Sequence, residues 1–400
     1  MNCVNAPLVA TVALLLLIGC GSVPDKQWAP MSGPQELETA KHSEFMTAEI
    51  NDDGQFHSPE QISNLERWLD VNPNDPIILF VHGWHHNAKP SDKNLVGFKK
   101  FLIQVEAESC RSDSKQPASV SCHSLDGIYV GWRGDEVQLL AGPQQLDFPT
   151  IVSRKSAAKR VGAGGLKSIL TYINERFPTR TVIIAGHSLG GAAVFYALES
   201  SLDGMVNNKA EYILVNPAVG TSEFSTVESR ILADSPLIPS HDSEGSTGTQ
   251  VAALRLHRRL IVLQATGDTA ISKLYPIAFK SDTPIGFDKT RATHIAYRCS
   301  KTRSLCDPGK AHETNFAFSK VEVESGQSPN FCSIFLAKQT FVLQTVPKPT
   351  SDESCWSEFS RPVWVVAMEP SISGSHNDIF NTMQAQALAD LIVQRLRSPK

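Results

Sequence analysis

Four short, nearly unbroken apolar runs constrain this chain more than any other feature: Ile77-Ile78-Leu79-Phe80-Val81, Thr181-Val182-Ile183-Ile184-Ala185, Leu260-Ile261-Val262-Leu263-Gln264-Ala265 and Val363-Trp364-Val365-Val366-Ala367. Each has strand length and lacks the polar alternation of a strand with one wet face, so each predicts a strand covered on both sides. Two shorter candidates, Gly127 to Val130 and Tyr212 to Val215, lie between them. The intervening stretches carry helical spacing: Leu95, Phe98, Leu102 and Val105; the stretch from about Arg154 to Arg176; and a last helix with Phe380, Met383, Ala387 and Leu391. Strands alternating with helices predict an α/β fold, a mostly parallel sheet of about six strands with helices on both faces.

The chain ahead of this pattern divides in two. Leu8 to Ile18 is apolar but shorter than the roughly twenty residues a bilayer-spanning helix needs, so residues 1–19 read as a signal peptide. Leu17-Ile18-Gly19-Cys20 resembles the lipobox of bacterial lipoproteins. That resemblance implies lipidation of Cys20, a membrane partner through the N-terminal lipid, and a place in the bacterial cell envelope; Gly21 resembles outer-membrane sorting. Residues 20–57 are polar, with Pro24, Pro30, Gly33 and Pro34, and predict a flexible tether reaching roughly 30 to 36 Å. The folded domain is expected over 58–400, opening on Ser58-Pro59-Glu60-Gln61 with Ser58 as N-cap, Pro59 at the first helical position and Gln61 completing a capping box. Six cysteines remain after Cys3 and Cys20: Cys110, Cys122, Cys299, Cys306, Cys332 and Cys355. Disulfides between sequence neighbours are the first expectation in an exported chain, with buried thiols as the alternative. Four of these lie in 271–362, read as an insertion before the last strand.

The chemistry lies at strand ends. The run ending at Ala185 leads directly into Gly186-His187-Ser188-Leu189-Gly190-Gly191, and Ala192 to Leu198 reads as helix. Strand, G-x-S-x-G and helix together make a nucleophile elbow, in which glycines let the flanking backbone close up while the serine is held in a strained, exposed turn. On these residues, about 75 to 396 resemble an α/β-hydrolase of the esterase and lipase kind. His82-Gly83-Trp84, after the Ile77 to Val81 strand, is similar to the His-Gly step that shapes that family's oxyanion hole. The resemblance implies an oxyanion hole from the N–H groups of Leu189 and Trp84. His82, His85 and His86 lie close together, but no carboxylate stands at ligand spacing beside them, so no metal is expected.

A serine hydroxyl needs an imidazole to take its proton and a carboxylate to orient that imidazole, in the chain order Ser, acid, His. His376, in Ser373-Gly374-Ser375-His376-Asn377 between the last strand and the last helix, stands where the family places its histidine; His294 lacks that framing. Asp268, just past Leu260 to Ala265, is the expected acid, with Asp234 and Asp242 as alternatives. Asp378 stands too near His376 along the chain.

Thirty-seven basic and 41 acidic residues give a net charge of −4, which offers no general case for a nucleic-acid partner. Arg255, His257, Arg258 and Arg259 form a small basic cluster that reads as a solvated strand edge. The stretch from Val219 to Arg259 reads as a lid or surface loop, and Trp84 and Trp132 as pocket lining or core. The sequence thus predicts an envelope-anchored serine hydrolase needing no cofactor, acting on a small-molecule or lipid ester. The same triad would serve a thioesterase, amidase or phospholipase, and a non-catalytic binding platform would share the fold. Oligomeric state is not legible.

Overall fold

The computed structural model describes residues 20–29, 33–37, 43–71, 73–110, 124–139, 150–202, 210–233, 260–279, 282–288, 290–298, 318–319, 333–336, 341–345, 362–377 and 379–397. Residues 1–19 with the signal-peptide reading, the 234–259 segment with Asp234, Asp242 and the basic cluster, Asp378, and the cysteines Cys122, Cys299, Cys306, Cys332 and Cys355 lie outside the described residues.

The strands are β1 (Cys20–Ser22), β2 (Gln35–Glu36), β3 (Glu44–Glu49), β4 (Ile77–Val81), β5 (Asp126–Gly131), β6 (Val137–Leu139), β7 (Val182–His187), β8 (Ala210–Val215), β9 (Leu260–Ala265), β10 (His294–Arg298), β11 (Phe318–Ser319), β12 (Ser333–Leu336), β13 (Phe341–Thr345) and β14 (Val363–Met368). The principal helices are α1 (Pro59–Val71), α2 (Lys93–Ser109), α3 (Ile151–Val161), α4 (Lys167–Arg176), α5 (Leu189–Ser201), α6 (Thr221–Ala233), α7 (Tyr275–Ala278) and α8 (Thr382–Arg397). One mixed sheet runs in the order β11-β12-β13-β10-β14-β9-β8-β7-β4-β5-β3-β2, and β1 pairs with β6 in a separate ribbon. From β3 across to β10 every neighbouring pair is parallel. The protein is an α/β fold with a mostly parallel sheet, as the alternating pattern predicts.

The apolar runs form the centre of this sheet: all residues of β4, β7 and β9 are buried. One face is covered by α3, α4, α5 and α6, with Phe195, Tyr196 and Phe224 against the strands. The other is covered by α2 and α8, with Phe98, Phe101, Leu388 and Ile392. Burial on both faces is why these strands read as continuous apolar runs.

Four expectations are corrected. The first part of the expected lid or surface loop over 219–259 is the helix α6, with Phe224, Val227 and Ile231 buried. Among the described residues the sheet has twelve strands, where about six were expected. The extra ones come from two sources: β2 and β3 lie in the expected tether, and β10 to β13 come from the expected insertion, where they extend the sheet beyond β14. The tether is therefore not a tether along its length. Phe45, Met46 and Ala48 are buried, and β3 pairs in parallel with β5 through six registered residues. The Glu49 carboxylate accepts the N–H groups of Trp28 and Ala29 at 2.8 and 2.7 Å, binding residues ahead of the sheet to its edge. Finally, Gln61 does not complete a capping box. It is buried, and its Oε1 accepts the Glu49 N–H at 3.0 Å, tying α1 to β3, while Ser58 Oγ accepts the Glu60 N–H at 3.2 Å.

The predicted helix over 154–176 is divided by a π turn at Gly162–Leu166, where Gly164 leaves helical geometry and the Gly165 N–H donates to the Gly54 carbonyl at 2.6 Å. Side chains on either glycine would collide there: a Cβ on Gly54 would strike the Arg160 carbonyl, and one on Gly164 the Gly54 carbonyl.

Candidate active site

Parallel strands end together, so their following loops gather along one edge of the sheet, the usual place for a site in open α/β folds. Ser188, Asp268 and His376 follow β7, β9 and β14 on that edge.

Ser188 sits between β7 and α5 with φ 55° and ψ −119°, a sparsely populated conformation for a residue with a side chain. The fold holds it there from both sides. Its N–H donates to the Val215 carbonyl at 3.0 Å, and its own carbonyl accepts from the N–H groups of Ala192 and Ala218, each at 3.1 Å. The elbow glycines are required by contact: a Cβ on Gly190 would strike the carbonyl oxygens of Val81 and His82, and one on Gly186 would strike the Gly190 carbonyl. Close packing of helix on strand at the turn is the reason G-x-S-x-G carries glycine at both ends.

The three polar side chains form one chain of hydrogen bonds. Ser188 Oγ lies 2.8 Å from His376 Nε2, and His376 Nδ1 lies 2.7 Å from Asp268 Oδ2. A carboxylate accepts, so Nδ1 carries the imidazole proton and Nε2 is left to accept from the serine hydroxyl. Asp268 is fully buried, and its second oxygen accepts the Ile271 N–H at 2.9 Å at the start of the following helical turn. Ser188 is 5% exposed, so the hydroxyl stands in a nearly dry setting where dipoles act strongly.

Asn216 was not legible as a site residue and is central to the geometry. It follows β8 with φ 46°, is fully buried, and donates from Nδ2 to the His376 carbonyl at 3.1 Å. Its Oδ1 accepts the Ala265 N–H at 2.8 Å and Gln264 Nε2–H at 3.3 Å. Gln264 Nε2 also lies 3.3 Å from Asp268 Oδ2, so the ring His376, Asn216, Gln264, Asp268 closes on itself. Its one sequence signal is a polar residue directly after a buried strand, in Tyr212-Ile213-Leu214-Val215-Asn216.

His187 grips the same carbonyl. Its Nε2–H donates to the His376 oxygen at 2.7 Å. Burial, and then the neighbouring His376, hold its pKa well below the usual histidine range, so it stays neutral and adds no charge opposing a protonated His376.

The His82-Gly83-Trp84 step lies against the serine: a Cβ on Gly83 would come within 2.9 Å of the His187 carbonyl and 3.0 Å of Ser188 Cβ. His82 is fully buried and accepts the Trp132 N–H on Nε2 at 3.0 Å. Its Nδ1 therefore carries the proton and donates to the Gly83 carbonyl at 2.9 Å, fixing the Gly83–Trp84 peptide plane. Burial pushes the His82 pKa down to about 4. Trp132 is core rather than pocket lining, its ring stacked 5.7 Å from that of His82. Trp84 is half-buried and stacks on His85 at 4.1 Å.

The remaining candidates are accounted for elsewhere. His294 is buried in β10 with its ring 4.5 Å from Trp364. His85 and His86 face carboxylates, Asp135 at 2.5 Å and Asp92 at 3.2 Å, and Arg133 pairs with Asp52. Among the described residues no group of three or more His, Cys, Asp or Glu side chains is placed to hold a metal ion. No protein-family model and no curated protein matches this chain.

Proposed function

We propose that this protein is a serine hydrolase of the α/β-hydrolase kind that cleaves carboxylic esters through an acyl-enzyme intermediate, in the bacterial envelope. The observation that carries the reading is the continuous relay from Ser188 Oγ to His376 Nε2 at 2.8 Å and from His376 Nδ1 to Asp268 at 2.7 Å. In this reading His376 takes the Ser188 proton as the oxygen attacks the ester carbonyl, and Asp268 stabilises the imidazolium. The tetrahedral oxyanion is met by the N–H groups of Leu189, at the start of α5, and Trp84, whose peptide His82 orients; such donors contribute several kcal/mol in a dry site. His376 then passes its proton to the departing alkoxide. The same imidazole then takes a proton from a water whose oxygen attacks the acyl carbonyl, and it returns that proton to Ser188 Oγ as the acyl–oxygen bond breaks and the acid leaves.

The test is hydrolysis of short-chain nitrophenyl esters, with fluorophosphonate labelling of the folded protein. Ser188→Ala is expected to lower kcat by a factor on the order of 10⁴ or more and to abolish labelling. Full turnover by the Ser188→Ala variant would reject Ser188 as the nucleophile, and wild-type protein that neither labels nor turns over ester would reject the hydrolase reading and leave a binding platform. A parallel series of thioester, amide and phospholipid substrates then assigns the bond.

A further inference from the structure

The chain enters the fold on the same edge that carries the triad. Cys20–Ser22 pairs antiparallel with Val137–Leu139, and β6 lies beyond the carboxyl end of β5. From there residues 23–29 are bound across the carboxyl ends of β3 and β5. The Val23 N–H donates to the Glu136 carbonyl at 3.0 Å, and Arg133 donates to the Val23 carbonyl at 3.0 Å. The Asp25 carboxylate accepts the Asp52 N–H at 2.8 Å, and the Trp28 ring lies under both Lys26 at 4.3 Å and Lys89 at 4.1 Å. Only after this strap does the chain descend to β2 and rise again in β3. A lipid carried by Cys20 would therefore be joined to the triad edge directly, without a long spacer between.

The same edge carries exposed apolar side chains. Parallel topology puts the start of α3 and the turn after Asp268 there, and with them Val152 (48% exposed), Leu274 and Ile277 (71% exposed). Lys155, one turn after Val152, joins the two elements: its Nζ donates to Tyr275 OH at 2.6 Å and lies 4.5 Å over the Phe279 ring. The exposed Val71 and Leu232 sit at the carboxyl ends of α1 and α6, on the opposite edge of the sheet.

We propose that the triad edge is the surface this protein turns to a lipid bilayer, held there by its N-terminal anchor and seated on Val152, Leu274 and Ile277, so that its ester substrate is drawn from the membrane. The substrate clause rests on the hydrolase reading, and the orientation on the N-terminal anchor reading alone. Acyl chains at the anchor supply the attachment, the strap fixes which face arrives, and the apolar side chains add burial at the headgroup boundary.

Hydrogen–deuterium exchange on the full chain tests this, with its native N-terminus, free in detergent and bound to vesicles of phosphatidylethanolamine and phosphatidylglycerol. Amides over 150–154 and 274–278 are expected to slow several-fold on vesicles, and those around Val71 and Leu232 to keep their rates. The double substitution Leu274→Glu and Ile277→Glu should remove that protection. It should also lower turnover of a vesicle-embedded long-chain ester roughly tenfold while nitrophenyl acetate is cleaved at the wild-type rate. Protection on the opposite edge, protection equal on both, or protection that follows protein concentration without vesicles would overturn the proposal, the last in favour of a second copy on this face. Protection at the triad edge without turnover of either ester would uphold the orientation and reject the hydrolase reading.

Discussion

The side-chain amide of Asn216 donates to the backbone carbonyl of His376 at 3.1 Å, so the imidazole of the triad is positioned through its main chain as well as through Asp268. Asn216→Asp keeps the acceptor used by Ala265 but turns an oxygen toward the His376 carbonyl. The expected result is a fall in kcat of about 10²-fold with little change in KM, because displacement of the base by even 1 Å acts on the chemical step. Steady-state kinetics of the variant, with labelling rate as a second readout, check it. An unchanged kcat would make the contact structural only.

Asp268→Asn preserves shape while removing the charge that holds the proton on His376 Nδ1. The asparagine amide can donate to that nitrogen, which favours the tautomer with a proton on Nε2, facing the serine hydroxyl. A drop in kcat on the order of 10⁴-fold is expected at neutral pH, with the fold intact by circular dichroism. Activity within tenfold of wild type would assign the acid elsewhere.

His82 makes the protein acid-sensitive. Its folded pKa is pushed to about 4 by burial, against about 6.5 when solvated. Between these values the unfolded chain binds a proton that the folded one refuses. Its contribution is therefore complete above about pH 6.5 and lost progressively as pH falls to about 4, up to roughly 3 kcal/mol. Urea denaturation of wild type at about pH 7.5 and about pH 5 should show the loss, and His82→Gln a shallower one. His187, buried and held neutral in the same way, contributes to the acid sensitivity that remains, alongside Asp92 and Glu223, whose partners hold their carboxyls below the usual range.

Arg180 and Asp126 form a buried ion pair at the amino end of the sheet, with Arg180 also donating to the carbonyls of Asp75 and Leu69. Strands of five or six residues separate this pair from the triad edge by about 17 to 20 Å. Arg180→Ala is expected to destabilise by about 3 to 5 kcal/mol by leaving the carboxylate buried and alone, with kcat per folded molecule unchanged. Denaturation midpoints and active-site titration separate the two effects.

The sequence was most legible where a residue's environment is uniform. β4, β7 and β9 are buried on both faces and show it as apolar runs, and Ser188 is flanked by glycines that steric contact makes obligatory. Asp268 and His376 could be placed because each follows a buried strand at the expected point in the chain order. β3 was not readable, since Glu44-Phe45-Met46-Thr47-Ala48-Glu49 is bounded by carboxylates. Both are occupied in the fold, Glu44 by the Trp68 indole N–H at 2.8 Å and Glu49 by backbone N–H groups of the strap. The extension from β10 to β13 depends on pairings between segments far apart in the chain, which local composition does not encode. Asn216 and Gln264 escaped for a related reason: each matters only because two other loops arrive beside it.

The pairing of β3 with β5 has a consequence for how the protein behaves outside its native setting. A fragment begun at Ser58 would strip β5 of its neighbour along six residues and leave a row of open N–H and C=O groups on a sheet that is apolar on both sides. Such a border recruits any extended chain that reaches it, and copies of the fragment would find one another first. The stretch that resembles a spacer in the sequence is thus the guard that stops the sheet from growing sideways into aggregate.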